Sequence, residues 1–170
     1  MPGGAAADRD CVRHIGAVGV VALDARDQVM LVRQYRHPVG RQLWELPAGL
    51  IDVDGEDLVA AARRELAEEA ELTAARWDLL VDLHTSPGYS NELIRLYLAR
   101  DLAPVAEPAH VRAHEEAEMV AAWHSLDEAL AMVMSGRITN AAAVGGLLAA
   151  AHAKASDWSA LRLADTPLPR

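Results

Sequence analysis

The chain has 170 residues, which is enough for one domain with a hydrophobic core. With 16 basic and 25 acidic side chains its net charge is −9, which argues against nucleic acid or an anionic membrane as the main partner. A single cysteine, Cys11, excludes an intrachain disulfide, and the sequence has neither a signal-peptide pattern nor an apolar run of membrane-spanning length. We therefore expect a cytoplasmic protein.

Composition divides the chain into three parts. Residues 1–15 begin with the small, flexible run MPGGAAAD and offer few core positions, although residues 11–14 favour a short strand. Residues 16–155 carry the apolar segments expected of a folded domain. Residues 156–170 have the composition of a tail, in which Trp158 is either an anchor or an exposed side chain.

Six segments have the pattern of β-strands. The first, GAVGVVAL, is a continuous apolar run typical of a strand covered on both faces. A turn over residues 24–27 separates it from the second strand, so we expect the two to form a hairpin. The expected strands are residues 16–23, 28–35, 42–47, 79–84, 93–99 and 119–124.

Three segments have helical signals. The first covers residues 57–70, and its buried face is expected to consist of Leu58, Ala61, Ala62 and Leu66. Ser125 is placed to cap a second helix over residues 126–134, and a third is expected over residues 141–154. Together these elements predict an α/β fold, a mixed sheet with helices packed on its faces.

The first helix carries the densest chemical signal in the sequence. Glu65, Glu68 and Glu69 share one helix face, because residues three and four apart lie side by side on a helix. One interpretation is a solvated acidic face. The other is a site for a hard divalent cation, since Mg²⁺ and Mn²⁺ prefer carboxylate and carbonyl oxygens.

These residues resemble the Nudix box, G-x5-E-x7-R-E-U-x-E-E-x-G-U, in which U is aliphatic. Gly49 and Glu56 match its first glycine and first glutamate, and RELAEE at residues 64–69 matches its centre. Two departures are visible. The first spacer has six residues instead of five, and Glu71 replaces the second glycine, a cost of about 1 kcal/mol if that position is left-handed.

The resemblance extends over residues 16–154 and implies a Nudix-type α/β/α sandwich that hydrolyses nucleoside diphosphates linked to another group. It also implies Mg²⁺ or Mn²⁺ as the cofactor. Its metal ligands would be the Ala48 carbonyl with Glu65, Glu68 and Glu69, and Glu69 would also count as catalytic. Arg64 would orient the glutamates by ion pairing. Glu56 has two possible roles: a loop carboxylate near the start of the helix, or a residue that supports the metal site.

Three features resemble the ADP-ribose pyrophosphatase branch of the family. They are the stretch WELPAGLID, a proline at position 87, sixteen residues after Glu71, and the sequence AHVRAHEEAEM, most of which lies in the polar loop expected over residues 101–116. In that branch a mobile loop supplies a glutamate as general base, which places the base on Glu116 with Glu115 as second candidate. The alternative for both glutamates is a solvated acidic loop.

The same resemblance suggests substrate contacts. Arg36 would bind the diphosphate, because a guanidinium pairs bidentately with phosphate. Glu45 is either a second substrate residue or an outward-facing strand residue. Gly88 and Ser90, in the loop over residues 85–92, would let the backbone approach the ribose phosphate.

The N-terminus departs from this branch, whose members carry a small β domain that is exchanged in a homodimer and helps to grip the adenine. Only about fifteen residues precede GAVGVVAL. Either the protein lacks this domain, or the first residue of the protein has been assigned too late in the sequence. We expect weaker adenine recognition and a homodimer that differs from the branch. Two alternatives to ADP-ribose hydrolysis stay open, namely another nucleoside diphosphate sugar such as GDP-mannose, or a sensor that binds ADP-ribose or NAD without turnover.

Overall fold

The structure is a computed structural model that describes residues 3–4, 6–106 and 118–169. The strands of this part are β1 Ala17–Ala22, β2 Gln28–Arg36, β3 Arg41–Glu45, β4 Ala48–Leu50, β5 Leu72–His84, β6 Leu93–Pro104, β7 Val120–Ser125 and β8 Arg162–Leu163. Its α-helices are α1 Leu58–Ala70, α2 Leu126–Met134 and α3 Ala141–Ala155. Within these ranges no helix is long and apolar enough to cross a membrane.

Two sheets form the centre of the molecule. The larger has the strand order β4-β1-β6-β5-β8, and the smaller has the order β3-β2-β7. Strands β1 and β6 run parallel, whereas the other pairs are antiparallel, so the larger sheet is mixed as expected. Val18 and Val20 of β1 pack in the cluster that contains α1, while Val21 packs in the cluster of α2 and α3. Helices therefore cover both faces of β1, as its continuous apolar run predicts.

The expected hairpin between the first two strands is wrong. The turn itself forms, because the Asp24 carboxylate accepts hydrogen bonds from the backbone N–H groups of Arg26 and Gln28, both at 2.8 Å. Only one bridge, between Leu23 and Val29, then joins the two strands before they enter different sheets. Both edges of β1 are taken by β4 and β6, which leaves no edge for β2.

Other expected segments differ in length. Strands β5 and β6 form a long antiparallel pair that extends well beyond the expected segments, partly because Arg100 and Asp78 pair across it at 2.7 Å. The short strand expected over residues 11–14 is a single bridge between Val12 and Ser90. The segment 42–47 ends as a strand at Glu45, and β4 begins separately three residues later.

The C-terminal segment is tied to the sheet more closely than its tail-like composition predicts. Strand β8 pairs with β5, and Trp158 lies under the Arg100 guanidinium at 4.4 Å, so it acts as an anchor. Arg95 is 2% exposed and pairs with Asp82 through bonds of 2.7 and 3.0 Å. The same guanidinium donates to the backbone carbonyls of residues 166 and 167, so the segment satisfies a buried cation that the sheet would otherwise leave partly unpaired.

At the end of α1, the position where the motif has its second glycine adopts a left-handed conformation, which favours glycine. Glu71 has φ 56° and ψ 34°, in the left-handed region, and its N–H donates to the carbonyls of Leu66 and Ala67. A side chain with a Cβ is strained in this conformation, whereas glycine is not. The substitution therefore costs stability without touching the acidic face of the helix.

Replacing Glu71 with glycine should raise the free energy of unfolding by about 0.5–1 kcal/mol, because the left-handed strain disappears. Urea denaturation of both proteins measures the difference. The control is Ala67→Gly inside the same helix, which should lower the free energy of unfolding by about 1 kcal/mol. A Glu71→Gly protein less stable than the parent would contradict this account of the helix end.

Candidate active site

The acidic face of α1 is partly buried rather than fully solvated. Glu65 is 8% exposed and Glu69 is 6% exposed, whereas the side chain of Glu68 retains 31% exposure. Burying two carboxylates on one helix is costly unless each has a partner. The interpretation of the three residues as a solvated face is therefore wrong for two of them.

Strand β4 supplies the surface against which these carboxylates lie. The N–H of Ala48 donates to Oε2 of Glu69 at 2.8 Å. Next along the strand, a Cβ on Gly49 would lie 2.1 Å from Cδ and Oε1 of Glu65, so the Glu65 carboxylate would have to move. The first glycine of the motif thus leaves the space that the Glu65 carboxylate occupies.

Arg64 organises the remaining charges. Its Nε and Nη2 donate to the two carboxylate oxygens of Glu56 at 3.3 and 3.1 Å, and its Nη1 donates to Oε1 of Glu65 at 2.6 Å. The same Nη1 lies 3.4 Å from Oε2 of Glu68, and Nη2 lies 3.7 Å from Oδ1 of Asp52. Arg64 thus makes the ion pairs that the sequence predicts, and Glu56 belongs to its network.

The site carries more negative charge than Arg64 neutralises, since one guanidinium faces four carboxylates. Burial raises the pKa of Glu65, Arg64 partly opposes this, and the charge of Glu68 raises the pKa further. The hydrogen bond with Glu56 is the largest influence on Arg64, and the pKa of the guanidinium is raised. The ionised form of Glu65 is therefore destabilised in the fold as it stands.

A hard divalent cation fits this site by the chemistry of its donors. The available ligands are carboxylate and carbonyl oxygens, which suit Mg²⁺ and Mn²⁺, and the excess negative charge favours a cation. In the ranges that the structure describes, no three Asp, Glu, His or Cys side chains are already gathered as a metal site. The carboxylates of Glu65 and Glu69 instead bond to Arg64 and to the Ala48 N–H.

Strand β4 also borders a cleft of about 620 Å³, whose walls include Arg36, Glu45, Ala48 and Gly49. Arg36 donates from Nε and Nη2 to the two oxygens of Glu45 at 3.0 and 2.7 Å, a bidentate pair. The side chain of Glu45 is 3% exposed and that of Arg36 is 40% exposed. The alternative of an outward-facing Glu45 is therefore wrong, because this carboxylate is buried and holds the arginine at the cleft.

The remaining predicted site residues are placed elsewhere. Gly88 and Ser90 line a separate cavity of about 380 Å³ against the N-terminal segment, and their role stays a prediction. Glu115 and Glu116 lie outside the described residues, so their role as general base also stays a prediction.

Sequence reasoning missed a polar group at the rim of the cleft. His14, Thr85 and Glu92 all line it, with His14 Nε2 at 3.4 Å from Glu92 Oε1 and the Thr85 hydroxyl bonded to the other carboxylate oxygen. The His14 ring accepts a hydrogen bond at Nδ1 from the N–H of Gly16, so its Nε2 faces Glu92 as the donor. No local motif signals this group, because His14 and Glu92 lie far apart in the sequence.

Several known proteins are similar to this chain over most of its length. The model of the NUDIX domain family matches residues 13–142. An ADP-ribose pyrophosphatase from Mycobacterium tuberculosis is 48% identical over 98% of this chain and 79% of its own length. One from Bacillus subtilis is 33% identical over 83% and 75%, and a methanol dehydrogenase activator from Bacillus methanolicus is 36% identical over 81% and 73%.

One solved structure supports the architecture. A crystal structure described as that of an ADP compounds hydrolase matches with a TM-score of 0.70, covering 83% of this chain and 74% of that chain at 24% identity. At this identity the match shows the fold alone. The expected α/β sandwich with a mixed sheet is confirmed.

The close contact between Gly49 and Glu65 gives a direct prediction. Gly49→Ala should lower the free energy of unfolding by roughly 1–3 kcal/mol, because the new Cβ displaces a buried carboxylate. Thermal or urea denaturation measures the loss. The matched control is Gly88→Ala, where no atom lies within 4 Å of the added Cβ and a change below about 0.5 kcal/mol is expected.

A double-mutant cycle then tests the cause of that loss. In a Glu65→Ala background the clashing carboxylate is absent, so the cost of Gly49→Ala should fall clearly below its cost in the parent. An equal cost in both backgrounds would show that Gly49 is needed for a reason other than Glu65.

Proposed function

Since this chain belongs to the Nudix family and is a Nudix pyrophosphohydrolase, we propose that its substrate is ADP-ribose, hydrolysed at the diphosphate bond to AMP and ribose 5-phosphate. The observation that carries the proposal is the position of Glu65 and Glu69, which lie on α1 and are buried against β4, the strand that also borders a cleft. Two relatives named ADP-ribose pyrophosphatase, at 48% and 33% identity, support the choice of substrate.

The cleft suits a diphosphate of this size. Its volume of about 620 Å³ lies within the range of ligand pockets, and Arg36 presents a partly exposed guanidinium to it. Glu45 fixes the orientation of Arg36 through the bidentate pair, so that the guanidinium meets the diphosphate in a defined geometry. In this proposal Arg36 binds substrate and Glu45 is a positioning residue.

The acidic site would serve the reaction at β4, the strand that also borders the cleft. Glu65, Glu68, Glu69 and the Ala48 carbonyl would hold a Mg²⁺ or Mn²⁺ ion. Such an ion would neutralise negative charge on the diphosphate and make the attacking water more acidic. Arg64 fixes the orientation of Glu65 and Glu68 through its ion pairs. The donor chemistry supports this assignment, as does the excess of carboxylates over the one Arg64 guanidinium in the ion pairs of the described residues.

The chemical step itself needs a base. We place it on Glu116, with Glu115 as second candidate, on the resemblance of their loop to that of the branch. The carboxylate takes a proton from water as the water oxygen bonds to one phosphorus, and the bridging P–O bond breaks with its electrons leaving on the other phosphate. We also propose a homodimer and a cytoplasmic location, which follow from the resemblance and from the composition.

The proposed function is tested by incubating the protein with ADP-ribose and Mg²⁺ and measuring AMP and ribose 5-phosphate. Glu116→Gln should lower kcat by roughly 10²–10⁴, because general-base catalysis contributes about that factor. Glu69→Gln should lower it at least as much, since a buried member of the acidic site is lost. The control Glu71→Gln makes the same chemical change at an exposed position and should leave kcat unchanged.

The alternatives give different results in the same assay. Bound ADP-ribose without turnover would indicate a sensor, and turnover of GDP-mannose in preference to ADP-ribose would indicate another nucleoside diphosphate sugar. Either result would overturn the proposed substrate reaction.

A further inference from the structure

A cavity of about 710 Å³ is lined by helix α1, strand β6 and the C-terminal segment. Leu58 and Val59 line it from the start of α1, Tyr97 from β6, and Leu163 and Ala164 from the C-terminal segment. We call it the tyrosine pocket. Among the described residues none lines both this pocket and the cleft, and its volume lies within the range of small-molecule sites.

The hydroxyl of Tyr97 is buried in this lining without a use in the fold. Tyr97 is 0% exposed, and its hydroxyl lies near the Arg95 guanidinium but forms no hydrogen bond of normal geometry with any described residue. A buried hydroxyl left unpaired costs free energy, so a partner is expected. Burial raises the pKa of Tyr97, which Arg95 partly opposes, so the hydroxyl is neutral at pH 7 and can donate to a ligand.

Arg95 also lines the pocket and offers a second donor. Its Nε and Nη2 donate to the Asp82 carboxylate, Nη2 donates to the Pro167 carbonyl, and Nη1 donates to the Thr166 carbonyl. Because a guanidinium carries five N–H donors, these four bonds within the described ranges leave one N–H on Nη1. A ligand oxygen in the pocket can therefore accept from both Tyr97 and Arg95.

The charges around the tyrosine pocket disfavour an anion. Its charged lining residues are Arg63, Arg95 and three carboxylates, Glu56, Asp57 and Asp165. The charge of Arg95 is already matched by a carboxylate of the fold at 2.7 Å, and the chain has a net charge of −9. A carboxylate or phosphate would add to this negative charge, whereas an uncharged carbonyl oxygen can use the same two donors at no such cost.

The rest of the lining is largely apolar. Leu58, Val59 and Ala164 are partly buried against the hydrophobic cluster that contains Tyr97, and Leu163 is 76% exposed. Apolar side chains on two elements, with a few donors between them, are typical of a site for a small molecule with an apolar body.

We propose that the tyrosine pocket binds a small uncharged amide with an apolar body, whose carbonyl oxygen accepts from Tyr97 and Arg95. The exposed carboxylates of Asp57 and Asp165 are acceptors in the same lining for the N–H groups of the amide. The inference does not depend on the proposed hydrolysis, because binding is measured without turnover and away from the cleft.

The test is an NMR titration of the isotope-labelled whole protein in EDTA, with benzamide as the probe. Benzoate, which has the same shape and carries a charge, is the reference and should bind several-fold more weakly. Benzamide should shift the backbone N–H signals of residues 58–59 and 163–166.

Two variants identify the contacts. Tyr97→Phe keeps the ring and removes the hydroxyl, so it should raise the Kd for benzamide roughly three- to tenfold without lowering the Tm. The matched control Tyr35→Phe removes a hydroxyl from an exposed position and should keep the Kd within about twofold. Ala164→Leu fills the apolar part of the pocket and should abolish binding.

Any of three results would overturn the inference. The first is the absence of benzamide binding by the parent protein at millimolar concentration. The second is benzoate binding as tight as that of benzamide, which would indicate an anion site. The third is an unchanged Kd in both Tyr97→Phe and Ala164→Leu, which would place the probe elsewhere on the protein.

Discussion

The burial of two carboxylates between helix α1 and strand β4 is the constraint on which the rest of the site depends. Glu65 fills the space beside Gly49, and Glu69 accepts from the N–H of Ala48. Buried carboxylates repel each other and lose hydration, so they persist only where partners are fixed in place. Arg64 is the cationic partner among the described residues, and its pairs with Glu56, Glu65 and Glu68 join more carboxylates than one guanidinium neutralises, which suits a divalent cation.

The sheet explains how one short strand serves two sites. Strand β4 is held in register by β1, with Gly49 opposite Val18, and β1 is held in turn by β6. Strand β4 meets the acidic helix at Ala48 and Gly49, and it also forms part of the wall of the cleft that Arg36 lines. In the proposed reaction this arrangement presents a diphosphate to a cationic side chain and to the acidic site from a single rigid element.

Local patterns in the sequence predicted the parts of the structure that depend on neighbouring residues. The helical spacing of Glu65 and Glu69, the left-handed end at Glu71 and the turn at Asp24 all follow from residues close in the chain. Pairing of distant segments did not follow, because no local signal says that β1 pairs with β4 and β6 instead of β2. For the same reason the sequence did not predict the position of His14. This residue is distant in the chain from the loop over residues 85–92, and the fold brings the two together.

The central claim is that the buried glutamates form a divalent-cation site, and it is tested most directly by the thermal stability of the protein with and without Mg²⁺. Because a ligand that binds the folded state alone raises its stability, Mg²⁺ should raise the Tm of the parent protein above its value in EDTA. In Glu65→Gln, which replaces a buried carboxylate by a neutral group of the same shape, the increase should be largely lost. An unchanged Tm in the parent, or an equal increase in both proteins, would contradict the account.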